Sequence, residues 1–414
     1  MIWVLAFLPY SNSIFLGISR VSEFMFSLLF VVLFLLCSIF FSVPCAQFLY
    51  MKRQSAIPWK LNINKTFNPS VSILIPMHNE ERNIKFKLEN LYKIDYPKDK
   101  IQLIFINDAS TDDTLEKLST MIEHCGNSNI KILNNTERMG KSAALNHALK
   151  YVTSDIVIVS DADCFWPSDI LQLALPYLSD PSVGAITGRE LLLNSSQSWV
   201  TKSEASYDNF VHAIRLGESK IHSTIIFQGG FAAYKKECLK EFDCENDDSG
   251  TALGIVQNNY RTLVIPEVIF YTVFPTRWKN KIKIKIRRAT QLLRIWIKCS
   301  RLTLKGKLAL PKKIFLPEAF QYILNPIFFI AIISTLFLCS LEQPFIFLAF
   351  LVLLLPILLT QRGRLIFIEV TQSNLILITA LVAFLFKRRF DTWKVTEETR
   401  TFLNSKVLKE KNLI

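Results

Sequence analysis

The chain lacks a cysteine framework. Its eight cysteines, Cys37, Cys45, Cys125, Cys164, Cys238, Cys244, Cys299 and Cys339, are scattered, and no two form a CxxC pair. A zinc site or a disulfide-stapled fold is therefore not expected, and a main domain in a reducing, cytoplasmic compartment fits better. No internal repeat or low-complexity stretch is present, which sets aside solenoids and arrays. Acidic residues are missing from one long segment: Pro275 to Lys313 holds fourteen Lys/Arg and no Asp or Glu. The whole chain carries +13, so the remainder is close to neutral and the basicity is one local stripe. That speaks against general nucleic-acid binding and for a membrane surface or a phosphate-rich ligand.

Long apolar runs are abundant. The 414 residues are 50% hydrophobic, with a mean hydropathy of +0.27. Phe24 to Tyr50 is almost uninterrupted apolar sequence, and ~20 such residues span a bilayer. The basic flank Lys52-Arg53 orients the main domain toward the cytoplasm. A signal peptide would have a shorter apolar core and a small-residue cleavage site. Residues 1 to 18, broken by Pro9 and a Ser/Asn cluster, leave three readings open: a poor signal sequence, an interfacial segment, or an extension before a start at Met25. Beyond Pro317 come Ala319 to Leu341, Phe345 to Leu359 and Leu365 to Phe386. Three full spans would carry Lys387-Arg388-Arg389 outside, against the positive-inside tendency. A re-entrant hairpin would remove the conflict, and Glu369, Gln372, Ser373 and Asn374 lie near the middle of the third stretch.

Between these regions strands and helices alternate. Val71–Pro76, Ile101–Ile106, Ile130–Leu133 and Ile156–Val159 read as buried strands, with helices after the turns at their ends, so a mostly parallel α/β sheet is expected. Further strands are expected at Val183–Arg189 and Tyr260–Ile265, and a helix at Trp199–Leu216. In the basic stripe Ile282, Ile284 and Ile286 alternate with lysines, a strand period, whereas Ala289, Leu292, Leu293 and Trp296 recur at helical spacing. An amphipathic helix on the membrane is the favoured reading.

The chemistry centres on Ser160-Asp161-Ala162-Asp163. Two carboxylates one residue apart at a strand end offer hard oxygen ligands at a sheet rim, where open α/β folds bind ligands. Mg²⁺ and Mn²⁺ prefer such ligands, and Mg²⁺ shares its shell with substrate phosphates. Three other polar turns come after apolar runs: His78-Asn79-Glu80, Asn107-Asp108 and Asp247-Asp248. In a parallel sheet their strand ends share one rim, so they can converge on one pocket. Asp108 is a candidate to bind a nucleoside, Lys141 a phosphate or the nucleotide, and Asp248 to act as general base toward an acceptor hydroxyl. Asp112 and Asp113 read as first-turn helix residues.

Taken in order, Val71–Glu80, Ile104–Thr114, Gly140–Asn146 and Ser160–Asp163 resemble the successive motifs of the family 2 glycosyltransferases, which have a GT-A fold. Gln228-Gly229-Gly230 resembles that family's acceptor-side glycine motif. Asp247-Asp248 stands where the family has Glu-Asp or Asp-Asp, the second carboxylate being the base. The resemblance covers about residues 70 to 300, and the flanking membrane segments look like those of cellulose, hyaluronan and poly-N-acetylglucosamine synthases. It implies a GT-A-like, Rossmann-type, mostly parallel sheet with flanking transmembrane helices. It further implies nucleotide-sugar binding by Pro76, Asn79, Glu80, Asp108, Lys141, Asp161 and Arg288, and acceptor binding by Gln228, Gly229 and Gly230. Asp161 and Asp163 would hold Mg²⁺ or Mn²⁺, and Asp247 and Asp248 would be catalytic. Processive members carry Gln-x-x-Arg-Trp where this chain reads Lys285-Ile286-Arg287-Arg288-Ala289. Arg288 is kept and the Gln and Trp are absent, so transfer of one or a few sugars is expected. Trp393, in Asp391-Thr392-Trp393-Lys394, lies beyond the last apolar stretch.

The expected organisation is membrane segment 1–50, linker 51–69, catalytic domain 70–274, basic interfacial segment 275–316, transmembrane region 317–389 and polar tail 390–414. The expected partners are a nucleotide-diphosphate sugar, most simply a UDP-sugar, a glycan or lipid-linked acceptor, and the bilayer, with no nucleic acid. Alternatives are transfer to a polyprenyl phosphate and a non-catalytic membrane scaffold with a relict nucleotide site. A transporter fits three or four spans without paired halves badly.

Overall fold

The computed structural model describes residues 8–125, 129–387 and 397–414; Arg388, Arg389 and Asp391–Lys394, with Trp393, lie outside the described residues. The chain divides into two units, 1–46 with 320–378, and 47–319 with 379–414.

The first unit is helical. Among the described residues, three helices are long and apolar enough to cross a membrane: Ser27–Ser55, Lys312–Leu341 and Gln361–Leu385. Their outward faces carry large apolar side chains such as Phe34, Phe41, Phe337 and Leu385, and Phe40 packs against Phe329, ring centroids 6.1 Å apart. The apolar stretch between the last two forms Pro344–Leu359, a 16-residue helix. At 1.5 Å per residue it is about 24 Å long, short of the ~30 Å hydrocarbon layer. Near Pro317 and Pro326 regular α-helix gives way to π-helical turns over Phe320–Leu324, as expected where proline removes a backbone donor.

The second unit holds a seven-stranded sheet: β1 (Val71–Met77), β2 (Ile101–Asp108), β3 (Ile130–Asn135), β4 (Ile156–Val159), β5 (Val183–Leu192), β6 (Ala232–Lys235) and β7 (Arg261–Thr272). The spatial order is β3-β2-β1-β4-β6-β5-β7. β1 pairs in parallel with β2 and β4, β2 with β3, and β5 with β7, while β6 is antiparallel to both β4 and β5. Register brings Leu74 opposite Ile104 and Val159, and β4 is buried at every position. Burial on both faces explains why β1, β2 and β4 read as continuous apolar runs. The C-terminal ends of six strands and the N-terminal end of β6 therefore share one rim. The apolar run Ile225–Phe227 is not itself a strand; β6 begins after the glycines. β7 runs further than the expected 260–265, because Ile269–Thr272 pair with Arg189–Leu192 across an irregular register.

The Lys-Ile alternation belongs to a helix, Trp278–Leu304. Lys281 and Lys285, four residues apart, lie on one face and both reach Glu204, at 3.5 and 2.6 Å. Lys298 meets Asp243 at 3.3 Å. Part of the basic stripe is thus matched by carboxylates of the same unit rather than left to solvent or lipid. Helix Trp199–Ile221 opens with a reciprocal Ser198–Thr201 cap. A buried network of Gln47, Glu318, Arg215 and Glu218 ties it to helix Lys312–Ala319 and to the end of the first helix.

Candidate active site

β4 stops at Val159 and the chain turns through Asp161 and Asp163 at the rim. The Asp161 N–H donates to the Gly229 carbonyl, 3.0 Å away, across to the segment that enters β6. Ligand atoms of Asp161, Asp163 and Cys164 lie within 4.8 Å of one another. Burial, with Asp163 and Asp161 nearby, pushes the Cys164 thiol well above its ordinary value, so it stays a thiol and behaves as a small apolar group. Two carboxylates remain, a donor set that fits a hard divalent cation such as Mg²⁺ or Mn²⁺. Burial and the neighbouring Asp161 push Asp163 up to about 6. Asp161 is also pushed up by burial, but the Lys141 ammonium and its hydrogen bond hold it below the usual range.

Lys141 opens helix Lys141–Leu149 after Gly140, whose φ of 84° is the left-handed conformation that favours glycine. Asp108 secures this loop by accepting from the Met139 and Gly140 N–H groups, each at 2.9 Å, and from Asn135 at 3.2 Å. Lys141 Nζ then sits 2.8 Å from Asp161 Oδ1, 2.7 Å from Asp247 Oδ2 and 3.7 Å from Asp248 Oδ1. Burial works against its charge, but the three carboxylates raise it well above the ordinary lysine value. Asp248 stands at the N-terminus of helix Ser249–Gln257. Burial and Asp247 raise its carboxyl well above the usual range, against the pull of Lys141. A carboxylate with raised affinity for its proton is the stronger base once ionised.

The residues read from sequence separate into two groups. Lys141, Asp161, Asp247, Asp248 and Gly229 meet directly. Arg288 keeps accessible surface; burial works against its charge, but Glu190, Glu204, Asp208 and Asp161 together raise its affinity for its proton. Gln228 lines a small cavity with Glu190, Asp208 and Arg215, and the Gly230 carbonyl accepts from Trp166 Nε1 at 2.7 Å. Pro76 faces Ile106 beyond the last β1–β4 pair, Leu74 with Val159, so its missing N–H breaks no ladder. Asn79, at φ 57°, bonds the backbone and hydroxyl of Thr111 through its side chain.

Two features were not legible in the sequence. One is Lys87, a lysine with no accessible surface beneath the Asp161 turn. The other is the segment after the apolar stretches. Arg400 meets the buried Glu80 carboxylate at 2.6 Å and the His78 carbonyl at 3.3 Å. Glu398 accepts from the Thr276 N–H at 2.9 Å and from Asn280 at 2.8 Å. Leu403, Leu408, Leu413 and Ile414 form an apolar cluster with Phe165. The expected polar tail is, over residues 397–414, an integral part of the second unit.

The model of the family described as glycosyl transferase family 2 matches residues 72–242. A mannosyltransferase from Pyrobaculum calidifontis, solved in complex with GDP-Man and Mn²⁺, superposes with a TM-score of 0.76 at 30% identity, covering 87% of this chain and all of that one. β-Monoglucosyldiacylglycerol synthase of Synechocystis sp. is 30% identical over 138 residues, 33% of this chain and 29% of that protein. Poly-β-1,6-N-acetyl-D-glucosamine synthase of Staphylococcus aureus is 24% identical over 234 residues, 54% of this chain and 56% of that protein. The chain thus spans between about a third and about half of the length of these curated relatives. With a sheet in which, among the described strands, only β6 runs against its neighbours, and acidic turns gathered at one rim, the fold is GT-A, and the chain belongs to the family 2 glycosyltransferases.

Proposed function

We propose that the protein is a membrane-bound, inverting glycosyltransferase that moves a sugar from a nucleotide-diphosphate sugar to a hydroxyl of a glycan or lipid-linked acceptor, in polysaccharide or cell-envelope glycan synthesis. The observation that carries this is the meeting of Asp161, Asp247 and Asp248 at Lys141, directly under Gly229. It brings a candidate metal-ligand carboxylate and a candidate base to one phosphate-seeking ammonium, at 2.8 and 3.7 Å. In this reading the acceptor oxygen attacks the anomeric carbon in line, and the bond to the diphosphate breaks with its electron pair. Asp248 takes the hydroxyl proton, and Asp247 keeps it oriented. Arg288 grips the diphosphate with its guanidinium fork. Asp161 and Asp163 would hold Mg²⁺ or Mn²⁺, which when bound neutralises charge on the leaving diphosphate.

A UDP-sugar is the donor expected from the sequence. GDP-mannose is the second reading, favoured by the donor bound to the Pyrobaculum mannosyltransferase. The glycolipid synthase among the relatives supports a lipid-linked acceptor, and so does the absence of the Trp of processive enzymes. For orientation, the contacts of Arg400 and Leu413 with the catalytic domain require an even number of crossings between residues 319 and 397. Two crossings by the long helices, with Pro344–Leu359 too short to count, satisfy this. Lys387 then returns to the side of Lys52-Arg53, which supports a cytoplasmic catalytic domain.

The test is incubation of membranes with a panel of UDP- and GDP-sugars and Mg²⁺ or Mn²⁺, with products read by mass. One donor should give an acceptor heavier by a hexosyl or N-acetylhexosaminyl unit, and Asp248→Asn should not. Nucleotide binding without transfer under all these conditions would support the scaffold alternative instead.

A further inference from the structure

Helix Ile84–Tyr92 presents Ile84, Leu88 and Leu91 to the core, and on the same buried face it carries Lys87. Lys87 has no accessible surface. An ammonium taken out of water is strongly disfavoured unless its protons find acceptors. Here one donates to Ser160 Oγ at 2.6 Å and another to the Cys164 carbonyl at 2.6 Å, while the Trp166 ring centroid lies 4.9 Å from Nζ. Ser160 and Cys164 are the two residues that bracket Asp161-Ala162-Asp163. One turn along the same helix, Asn90 accepts from the Trp166 N–H at 2.9 Å and donates to its carbonyl at 2.8 Å. The segment is tied onward: Trp166 Nε1 and Ser160 Oγ both reach the Gly230 carbonyl, at 2.7 and 3.4 Å. Lys87 is thus, among the described residues, the one charged group bonded to both ends of the carboxylate turn.

We propose that Lys87 is a positioning residue for the divalent-metal turn, clamping Ser160 to Cys164 so that the Asp161 and Asp163 oxygens stay together. The inference rests on the reading of those two aspartates as metal ligands. Two effects oppose each other. A positive charge beneath the site repels a cation, but its bonds go to a hydroxyl and a carbonyl, and both carboxylates lie between it and the rim. Loss of the clamp frees two like charges to separate, and outer-shell partners of metal ligands typically carry about 10- to 100-fold in metal affinity. Clamping therefore outweighs repulsion.

The experiment uses the full chain in nanodiscs, with Mn²⁺ alone as the probe and binding followed by electron paramagnetic resonance at neutral pH. Lys87→Met should bind Mn²⁺ about 10-fold more weakly than the wild type, and Asp163→Asn should not bind it. Wild-type affinity in Lys87→Met, with Asp163→Asn silent, overturns this inference alone. No saturable Mn²⁺ binding by the wild type, or binding by Asp163→Asn equal to it, overturns the metal reading and this inference together. If Lys87→Met does not fold, Ser160→Ala keeps the lysine and removes one of its acceptors. It should bind about 5-fold more weakly, and unchanged affinity overturns the clamp.

Discussion

A Cβ added at Gly229 would lie 2.6 Å from Lys141 Nζ and 2.7 Å from Asp161 Oδ2. Both atoms are ends of side chains that can swing away, so the fold should survive Gly229→Ala while the charge cluster opens. We expect kcat/KM to fall about 100-fold, the size of effect seen when reacting groups shift by about an ångström, with little change in Tm. Arg288→Lys keeps a cation but loses the bidentate fork, and kcat/KM should drop about 10-fold for the loss of one charge-assisted bond. That Asp161, Asp163 and Lys141 come to one rim was legible because each stands where an apolar run or a glycine hands over to a polar turn, and Asp248 stood out in an acidic turn before a helix. Lys87 was not legible. In Ile84-Lys85-Phe86-Lys87-Leu88 a lysine reads as solvent-facing, and only the end of its side chain finds Ser160 and Cys164.

At the scale of elements, the segment Glu397–Phe402 contributes the partner of Glu80. Burial and Asp163 push the Glu80 carboxyl up to about 8, although Arg400 and Asn83 pull it down. The folded value lies above the ordinary value of 4.5, so the stability Glu80 contributes is full below that pH and is lost as pH rises toward 8. The Tm of the wild type should therefore fall relative to Glu80→Gln across this window; parallel profiles would refute the assignment. Arg400→Met removes a group that favours the ionised form, so the decline should steepen. At neutral pH, where the folded-state Glu80 carboxyl is mostly protonated, the variant should lose about 2 kcal/mol, the size of one hydrogen bond from a charged group. Glu80→Gln in the same chain should restore part of it, as a double-mutant cycle would read. No local pattern announces a contact between residues 320 positions apart. β6 was missed for another reason: four residues after two glycines are too short to show a strand period. The helix Trp278–Leu304 was readable because Ala289 to Trp296 keep a helical period, and the opposing Lys-Ile alternation is absorbed by Glu204.

At the scale of the molecule, the placement of 397–414 against the catalytic domain makes orientation testable. Cys244 in that domain is exposed, as is residue 411. Cys244 and a Lys411→Cys probe should both react with an impermeant maleimide only after the membrane is opened. Reaction of one and not the other in intact cells would break the two-crossing topology. Chain length is the second molecular property. Ala289 stands where processive relatives have Trp, and it is buried against the domain rather than offered to an acceptor. With acceptor in large excess the enzyme should add one or a few sugars and release. Long polymer beside untouched acceptor would show processive transfer.

The docking of residues 397–414 also fixes an order of events during synthesis. Translation completes residues 47–319 first, then the apolar helices, and only afterwards the length of chain that covers Phe165 and neutralises Glu80. At ~5–20 residues per second this leaves the domain uncovered for several seconds, while its apolar helices are being made. The long closure comes last, because contacts of such sequence separation form late. A chain that stops short of residue 397 carries its whole sheet and all its acidic turns, yet leaves Phe165 uncovered and the buried Glu80 without Arg400.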